Sequence, residues 1–404
     1  MRILGTSLAA GLLLTTAATG AFASGFNTEG VNPGGALFND KRFVIQGGFG
    51  YVNPMREYSN TTGTDQLGGA ATGSTSTDAA DSFILYNADI KVGFSDNVDC
   101  AGRVHQPWRL TNQTEPGWAG RYEQSSFHID SRALDLTCSY KTMINDTMRV
   151  RLLGGLRSTT LEATRKNAVI GTAIGQAAVD FTNTYDFRSE DRELGYRIGA
   201  AFEMPAILLR AQVIYDSAIE MNMVGTQAID IGGTVVGPSP ATGAVPVTTS
   251  FDLPQSISMR VQSGVSQTTL VWVGAKWQEW STIPGLTILN SNGSINNELE
   301  TGWNDAWTVE VGAARRITKD LNAQASITWN QGIGGGYTDT WTFGAGIAYD
   351  LDDNWRVSVG GAATLLTASS ESGSTGGGGA SSNAYNQGDD WALSVGMRLQ
   401  YALD

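Results

Sequence analysis

From Glu193 to Met204 the chain alternates without a break. Leu194, Tyr196, Ile198, Ala200, Phe202 and Met204 are apolar, while Glu193, Gly195, Arg197, Gly199, Ala201 and Glu203 are charged or small. A period of two places the two sets on opposite faces of a β-strand. In a soluble sandwich the apolar face meets a core and the polar face meets water. In a membrane barrel the apolar face meets lipid and the polar face lines a lumen. One strand does not decide between these; the number of strands and their connections do.

The same alternation recurs from Phe43 to Tyr51, Asn87 to Phe94, Val98 to Val104, Leu134 to Tyr140 and Met148 to Arg157, ahead of the segment above. It returns from Leu209 to Asp216, Ile257 to Gln262, Leu270 to Trp280, Trp307 to Ala313, Leu321 to Trp329, Trp341 to Tyr349, Trp355 to Val359 and Trp391 to Tyr401. The reading is all-β: a transmembrane antiparallel β-barrel of fourteen strands, an even number as bacterial single-chain barrels have. Short turns such as Ser95-Asp96-Asn97, Met204-Pro205-Ala206 and Asp352-Asp353-Asn354 alternate with long connections near 55–81, 106–128, 160–190, 219–254, 283–304 and 367–390. Tight turns on one rim and long loops on the other belong to an outer membrane of the Gram-negative type, which is the expected location. Aromatics at strand ends, among them Tyr140, Trp307, Trp341, Tyr349, Trp391 and Tyr401, fit two girdles at the headgroup level.

Arg2, the apolar run that follows it and Ala21-Phe22-Ala23 read as a secretory signal over residues 1–23. The barrel is then assigned to 42–404. The formal charge is −13, and removing Arg2 with the leader takes it to −14. An acidic chain without a basic stripe is not expected to bind nucleic acid. The chain holds only His105 and His128, neither beside an obvious serine, so no catalytic group, metal ligand set or cofactor is predicted. Inward charges of both signs, such as Arg149, Arg151, Arg157, Arg197, Asp135, Glu203 and Asp216, are expected to pair across strands and stiffen the wall.

Three local features remain. Apolar residues in the 160–190 connection, including Val169, Ile170, Ile174 and Val179, are compatible with a short amphipathic helix. They form either a landing surface for a greasy ligand or loop-on-loop packing. Pro107 follows the third strand; as it cannot donate to a ladder, it marks a gap or kink in the wall, or simply the strand's end. Trp108 beside it is a further candidate ligand contact. Cys100 and Cys138 share lipid-facing parity on neighbouring strands, which makes a disulfide the favoured reading and two free thiols the alternative. The 367–382 stretch of Ser, Gly and Thr reads as flexible linker.

Gly35-Ala36-Leu37-Phe38-Asn39-Asp40, Gly50-Tyr51-Val52-Asn53-Pro54, Gly195-Tyr196-Arg197-Ile198-Gly199, Leu253-Pro254-Gln255-Ser256 and Trp277-Gln278-Glu279-Trp280-Ser281 follow one another along the chain. Together they resemble the FadL-type outer-membrane transporters of long-chain fatty acids and other hydrophobic compounds, in particular their alphaproteobacterial branch. The resemblance implies an N-terminal plug, here the short segment 24–41, and passive uptake of a hydrophobic small molecule caught by extracellular loops. It also implies sideways release near a kinked third strand, where Pro107 stands. The Gly396, Leu399 and Tyr401 run resembles the signal read by the barrel-assembly machinery, a transient partner; lipid and lipopolysaccharide would be the permanent ones, around a monomer. A general porin for polar solutes is the competing reading, motivated by the charged lumen.

Overall fold

The computed structural model describes residues 25–171, 179–231, 234–236, 243–375 and 382–404. The predicted leader 1–23 lies outside them. Fourteen antiparallel strands form the wall: β1 (Phe43–Met55), β2 (Phe83–Gly93), β3 (Val98–His105), β4 (Ser126–Asn145), β5 (Met148–Gly171), β6 (Glu193–Met204) and β7 (Leu209–Asp216). They continue with β8 (Ser256–Gly264), β9 (Thr269–Gln278), β10 (Ala306–Arg316), β11 (Leu321–Asn330), β12 (Thr340–Asp350), β13 (Trp355–Leu366) and β14 (Asp390–Leu403). Strand β1 pairs with β2 on one side and with β14 on the other, from Phe43↔Leu403 to Met55↔Trp391. That last ladder closes the sheet, so the barrel leaves no edge for another chain to extend.

The alternation reads out as predicted. Leu194, Tyr196 and Ile198 are exposed on the outer face, as are Phe343 and Ile347 on β12 and Leu393 and Val395 on β14, whereas Arg151, Arg197, Lys276 and Glu310 are buried inside. In cross-strand register Trp277 faces Trp307, Trp329 faces Trp341, and Leu365 faces both Trp341 and Trp391, which draws one aromatic girdle; Trp355 beside Tyr401 belongs to the other. Side chains hold the tight turns. The Asn145 carboxamide oxygen accepts from the Thr147 and Met148 amides, and Asp352 does the same for Asn354 and Trp355. Cys100 and Cys138 are cross-strand partners of β3 and β4 and form a disulfide.

Two expectations for the long connections are corrected. The 160–190 connection is not a helix in its described residues: β5 runs on to Gly171, and Val179–Ser189 returns as a strand. An extended chain satisfies more backbone groups there, because Ser126–Ala133 of β4 pairs with residues 159–166 on one side while Val179–Arg188 pairs with 162–171 on the other. Thr159, Thr160, Thr164, Val169 and Ile170 are β-branched and suit that conformation. The stretch read as flexible linker also forms strands, Ser369–Thr375 and Ser382–Gln387, which join Glu57–Thr64 and Thr77–Asp78 in a separate four-stranded sheet over the barrel's outer end. Residues 376–381, between the two strands, lie outside the described residues.

An apolar chamber above a charged floor

The segment from Gly25 to Lys41 enters at the turn-bearing end, where Lys41 meets Asp404 at 2.8 Å, and climbs inside the barrel. Near the entrance Phe38 lies between two guanidinium groups, with Arg151 at 5.1 Å and Arg210 at 4.1 Å from its ring centre. Arg151 also donates to the Leu37 carbonyl, and Lys91 to that of Asn39. Further up, Val31 packs on β9 where a Cβ at Gly274 would come within 2.6 Å of it, so glycine makes room for the segment.

Glu29 is the hub. Its carboxylate meets Arg157 at 2.7 Å, Arg103 at 3.6 Å, Arg197 at 3.7 Å and His105 at 3.9 Å, and its carbonyl accepts from the Lys276 ammonium. Asp135 takes His105 at 3.2 Å and both Arg157 and Arg197 at 3.5 Å, while Asp216 takes Arg197 at 2.6 Å. Burial alone would push the Glu29 carboxyl up, but Arg157, His105, Arg197 and Lys276 together hold it well below the usual carboxylate range. Ligand atoms of Glu29, His105 and Asp135 lie within 4.8 Å of one another, yet Arg157 and Arg197 touch both carboxylates. The positive charge such a set would recruit is already supplied by guanidinium groups. The inward charges thus pair across strands as expected, and Glu29 of the inserted segment joins Arg157 and Arg197 to that network.

Above this floor the lining changes character. Phe26 sits at the centre of an aromatic cluster, with ring centres of Trp280 at 4.8 Å, Trp303 at 5.7 Å and Trp108 at 5.8 Å. Gly25 takes φ +61° there, and a Cβ would come within 2.8 Å of the Trp280 ring. A chamber of about 390 Å³ opens above Phe26, walled by Phe83, Leu161, Phe187, Met223 and Phe251 and roofed by Tyr58, Trp118 and Tyr385. Tyr58 stacks on Tyr385 at 4.3 Å, and the Trp118 indole donates to Thr61 at 2.8 Å, which ties the roof to the four-stranded sheet. Burial pushes the Tyr337 hydroxyl, at the chamber's edge, up from its ordinary value. Three cations reach this lining: Arg56, which faces Asp390 at 3.5 Å, Arg109, paired with Asp130, and Arg165, which donates to the Glu123 carbonyl at 2.6 Å.

The wall has a fault beside the chamber. The β2–β3 ladder ends at Asn87↔His105, although β2 continues to Phe83 and stays paired with β1 as far as Val52↔Phe83. Gln106-Pro107-Trp108 then oppose only Ser131-Arg132 of β4 before pairing resumes at Arg109↔Asp130. One extra residue with a proline in it makes a bulge. The inserted segment takes up its backbone groups: the Thr28 amide donates to the Pro107 carbonyl and the Arg109 amide to that of Phe26. The Gln106 side chain spans the gap, accepting from the Tyr86 amide and donating to Asp130.

The sequence-predicted contacts fall unevenly around this site. Trp108 is buried in the aromatic cluster, one layer behind the lining. Val169 and Ile170 are half-buried near the tip of the β5 hairpin and do not line the chamber. Ile174 lies outside the described residues, and Val179 is placed only as the first residue of its strand. Sequence reasoning missed Phe26, Glu29, Arg109 and Trp280. The signal for Trp280 was present, since alternation lapses between Glu279 and Pro284.

A sequence profile of the family described as "Outer membrane protein transport protein (OMPP1/FadL/TodX)" matches residues 4–333. The chain belongs to that family. It is accordingly an outer-membrane β-barrel that transports hydrophobic compounds, and not an enzyme. Solved structures share the fold. A Pseudomonas aeruginosa FadL homologue superimposes with a TM-score of 0.76 at 14% identity, covering 98% of this chain and 100% of its own. The Ralstonia pickettii toluene transporter TbuX gives 0.62 at 11%, over 95% and 96% of the two chains. The Pseudomonas putida toluene transporter TodX gives 0.60 at 13%, over 92% of each. No curated protein matches the sequence.

Proposed function

We propose that this member takes up long-chain fatty acids, or hydrophobic molecules of similar size, by passive movement from the chamber sideways through the fault at Pro107. The observation that carries this reading is the continuity of the apolar lining with the break in the wall. Phe83, Arg109, Leu110 and Thr111 line the chamber and flank the end of the β2–β3 ladder. An alkyl chain needs no directional partner, since each methylene removed from water contributes about 0.8 kcal/mol. Arg109, whose Nε has no hydrogen-bond partner, and Arg165 would meet a carboxylate head. The porin reading draws less support: below the chamber the lumen holds the Glu29 network, and the space beside it is a polar pocket of about 80 Å³.

Deleting Pro107 tests the route. With one residue fewer the bulge equals its partner, and the ladder can zip past the gap. Oleate uptake into cells lacking their own transporter should then collapse, while oleate still quenches tryptophan emission of the purified protein. Uptake at the wild-type rate through the repaired wall would rule out sideways release there.

A further inference from the structure

The wall carries a second fault, above β8 and β9. Their ladder ends at Ser256↔Gln278, with one more bond from the Glu279 amide to the Gln255 carbonyl. Pairing between the two chains resumes only at Thr248↔Leu289 and Val247↔Asn290, between the rim strands Val245–Leu253 and Gly285–Asn290. Between these points Thr249–Pro254 faces the longer stretch Trp280–Ile288, and the described residues form no ladder bond across the two. The longer side turns inward as a short 3-10 helix, Trp280–Thr282, which buries Trp280 and Ile283. This is the same construction as at Pro107, where the diverted chain buries Trp108. The two indoles meet at 5.6 Å, and both lie against Phe26.

A concavity of about 420 Å³ lies at this fault, lined by Glu190, Asn222, Thr248, Ser250, Thr287 and Leu289 together with Met223 and Thr249. Met223 and Thr249 also line the chamber. Along the far side, Gly285, Thr287 and Leu289 border the outer space while Leu286 and Ile288 border the chamber, so the partition is one strand thick. Thr249 is buried and its hydroxyl has no partner in the wall. Met223 is buried as well, and an unbranched thioether side chain rearranges readily to let a ligand past. The fault begins one residue beyond the Trp277–Trp307 girdle, hence at the headgroup level.

We propose that this fault is a second mouth of the chamber, through which a small neutral apolar molecule enters from the outer surface past Met223. The inference rests on the reading of the chamber as the ligand site. The apolar class follows from the chamber the molecule would reach, and its neutrality from the mouth's lining, which carries the Glu190 carboxylate and no cation, so an anionic head is disfavoured there. A fatty acid would enter elsewhere, and the two faults would serve as entrance and exit for neutral compounds.

Ser250→Trp and Thr287→Trp fill the mouth from its exposed outer lining without touching the chamber. In proteoliposomes each should slow toluene entry several-fold and leave oleate entry unchanged. Wild-type toluene rates in both indole variants would overturn the second mouth, and equal slowing of oleate would overturn the charge argument. A wild-type protein that moves neither compound would instead sink the functional reading itself. Should the indole variants fail to assemble, an environment-sensitive fluorophore on the Ser250→Cys variant gives an independent reading. Toluene should shift its emission to the blue, and an unchanged spectrum at saturating toluene overturns the proposal.

Discussion

Replacing Glu29 by glutamine should loosen the inserted segment and turn the closed lumen into a conducting one. The amide keeps the shape and removes the charge on which Arg157, Arg103 and Arg197 converge, at 2.7, 3.6 and 3.7 Å. Removing one partner of a buried ion pair costs about 3–5 kcal/mol, because the other charge stays buried without compensation. Arg157 and Arg197 keep Asp135 and Asp216, so the lower end of that range applies, a shift of roughly a hundredfold in the in–out equilibrium of the segment. Planar-bilayer conductance reads the result directly. Wild type should show rare, small steps, Glu29→Gln should add large and long-lived openings, and Glu29→Gln with Arg103→Gln should restore much of the closure by rebalancing the floor. The sign of the pH dependence follows from the depressed Glu29 carboxyl. Its stabilisation is complete above the value of an unfolded carboxylate, about 4.3, and is lost as the pH falls towards the folded value. Wild-type conductance should be flat from neutral pH to about 5 and rise in more acid buffer, a rise the Glu29→Gln variant should lack. Identical traces for the two proteins at pH 7 would refute the claim that the charged floor holds the segment in place.

Arg109→Met together with Arg165→Met should abolish oleate binding while leaving toluene binding intact, measured by tryptophan quenching; equal loss of both ligands would show that the arginines hold the chamber open instead of recognising a carboxylate. Trp280→Ala should cost about 3–5 kcal/mol through the void it leaves, seen as a lower unfolding temperature of the heat-modifiable band, and should do so without changing the barrel's strand content by circular dichroism. Reducing the Cys100–Cys138 bridge, which spans 38 residues of sequence, should destabilise by roughly 3–4 kcal/mol on loop-closure grounds. Thiol titration of the unfolded protein without reductant should find no free cysteine.

The wall was legible from the sequence because lipid and lumen impose opposite demands on successive residues. Leu194 and Arg197 carry that information locally, whatever the rest of the chain does. The rim was less legible because above the membrane both faces of a strand meet protein or water, and the alternation loses its driving force. Val169 and Ile170 therefore looked helical, although pairing with the Val179–Ser189 strand decided their conformation. Glu29 was illegible for a different reason. A lone glutamate in the segment ahead of β1 has no periodicity, and its partners come from β3, β5, β6 and β9, distant in sequence.

The two faults limit what the described part of the inserted segment, Gly25 to Lys41, has to fill. A continuous barrel of this size would need a plug large enough to fill its whole section. Here the wall itself supplies Trp108 and Trp280, folded inward where β3 and β9 leave the ladder, and Phe26 has only to fill the space between them. Behind each inward indole the ladder is interrupted, so the residues that fill the axis are also those at which the wall leaves its pairing. The backbone cost of leaving the ladder is met locally at Pro107, by Thr28 and Ser131, and at the second fault by Gln255 and Thr301. On the proposed sideways route, such a wall would pass apolar molecules through its side while the Glu29 network occupies the axis below the chamber.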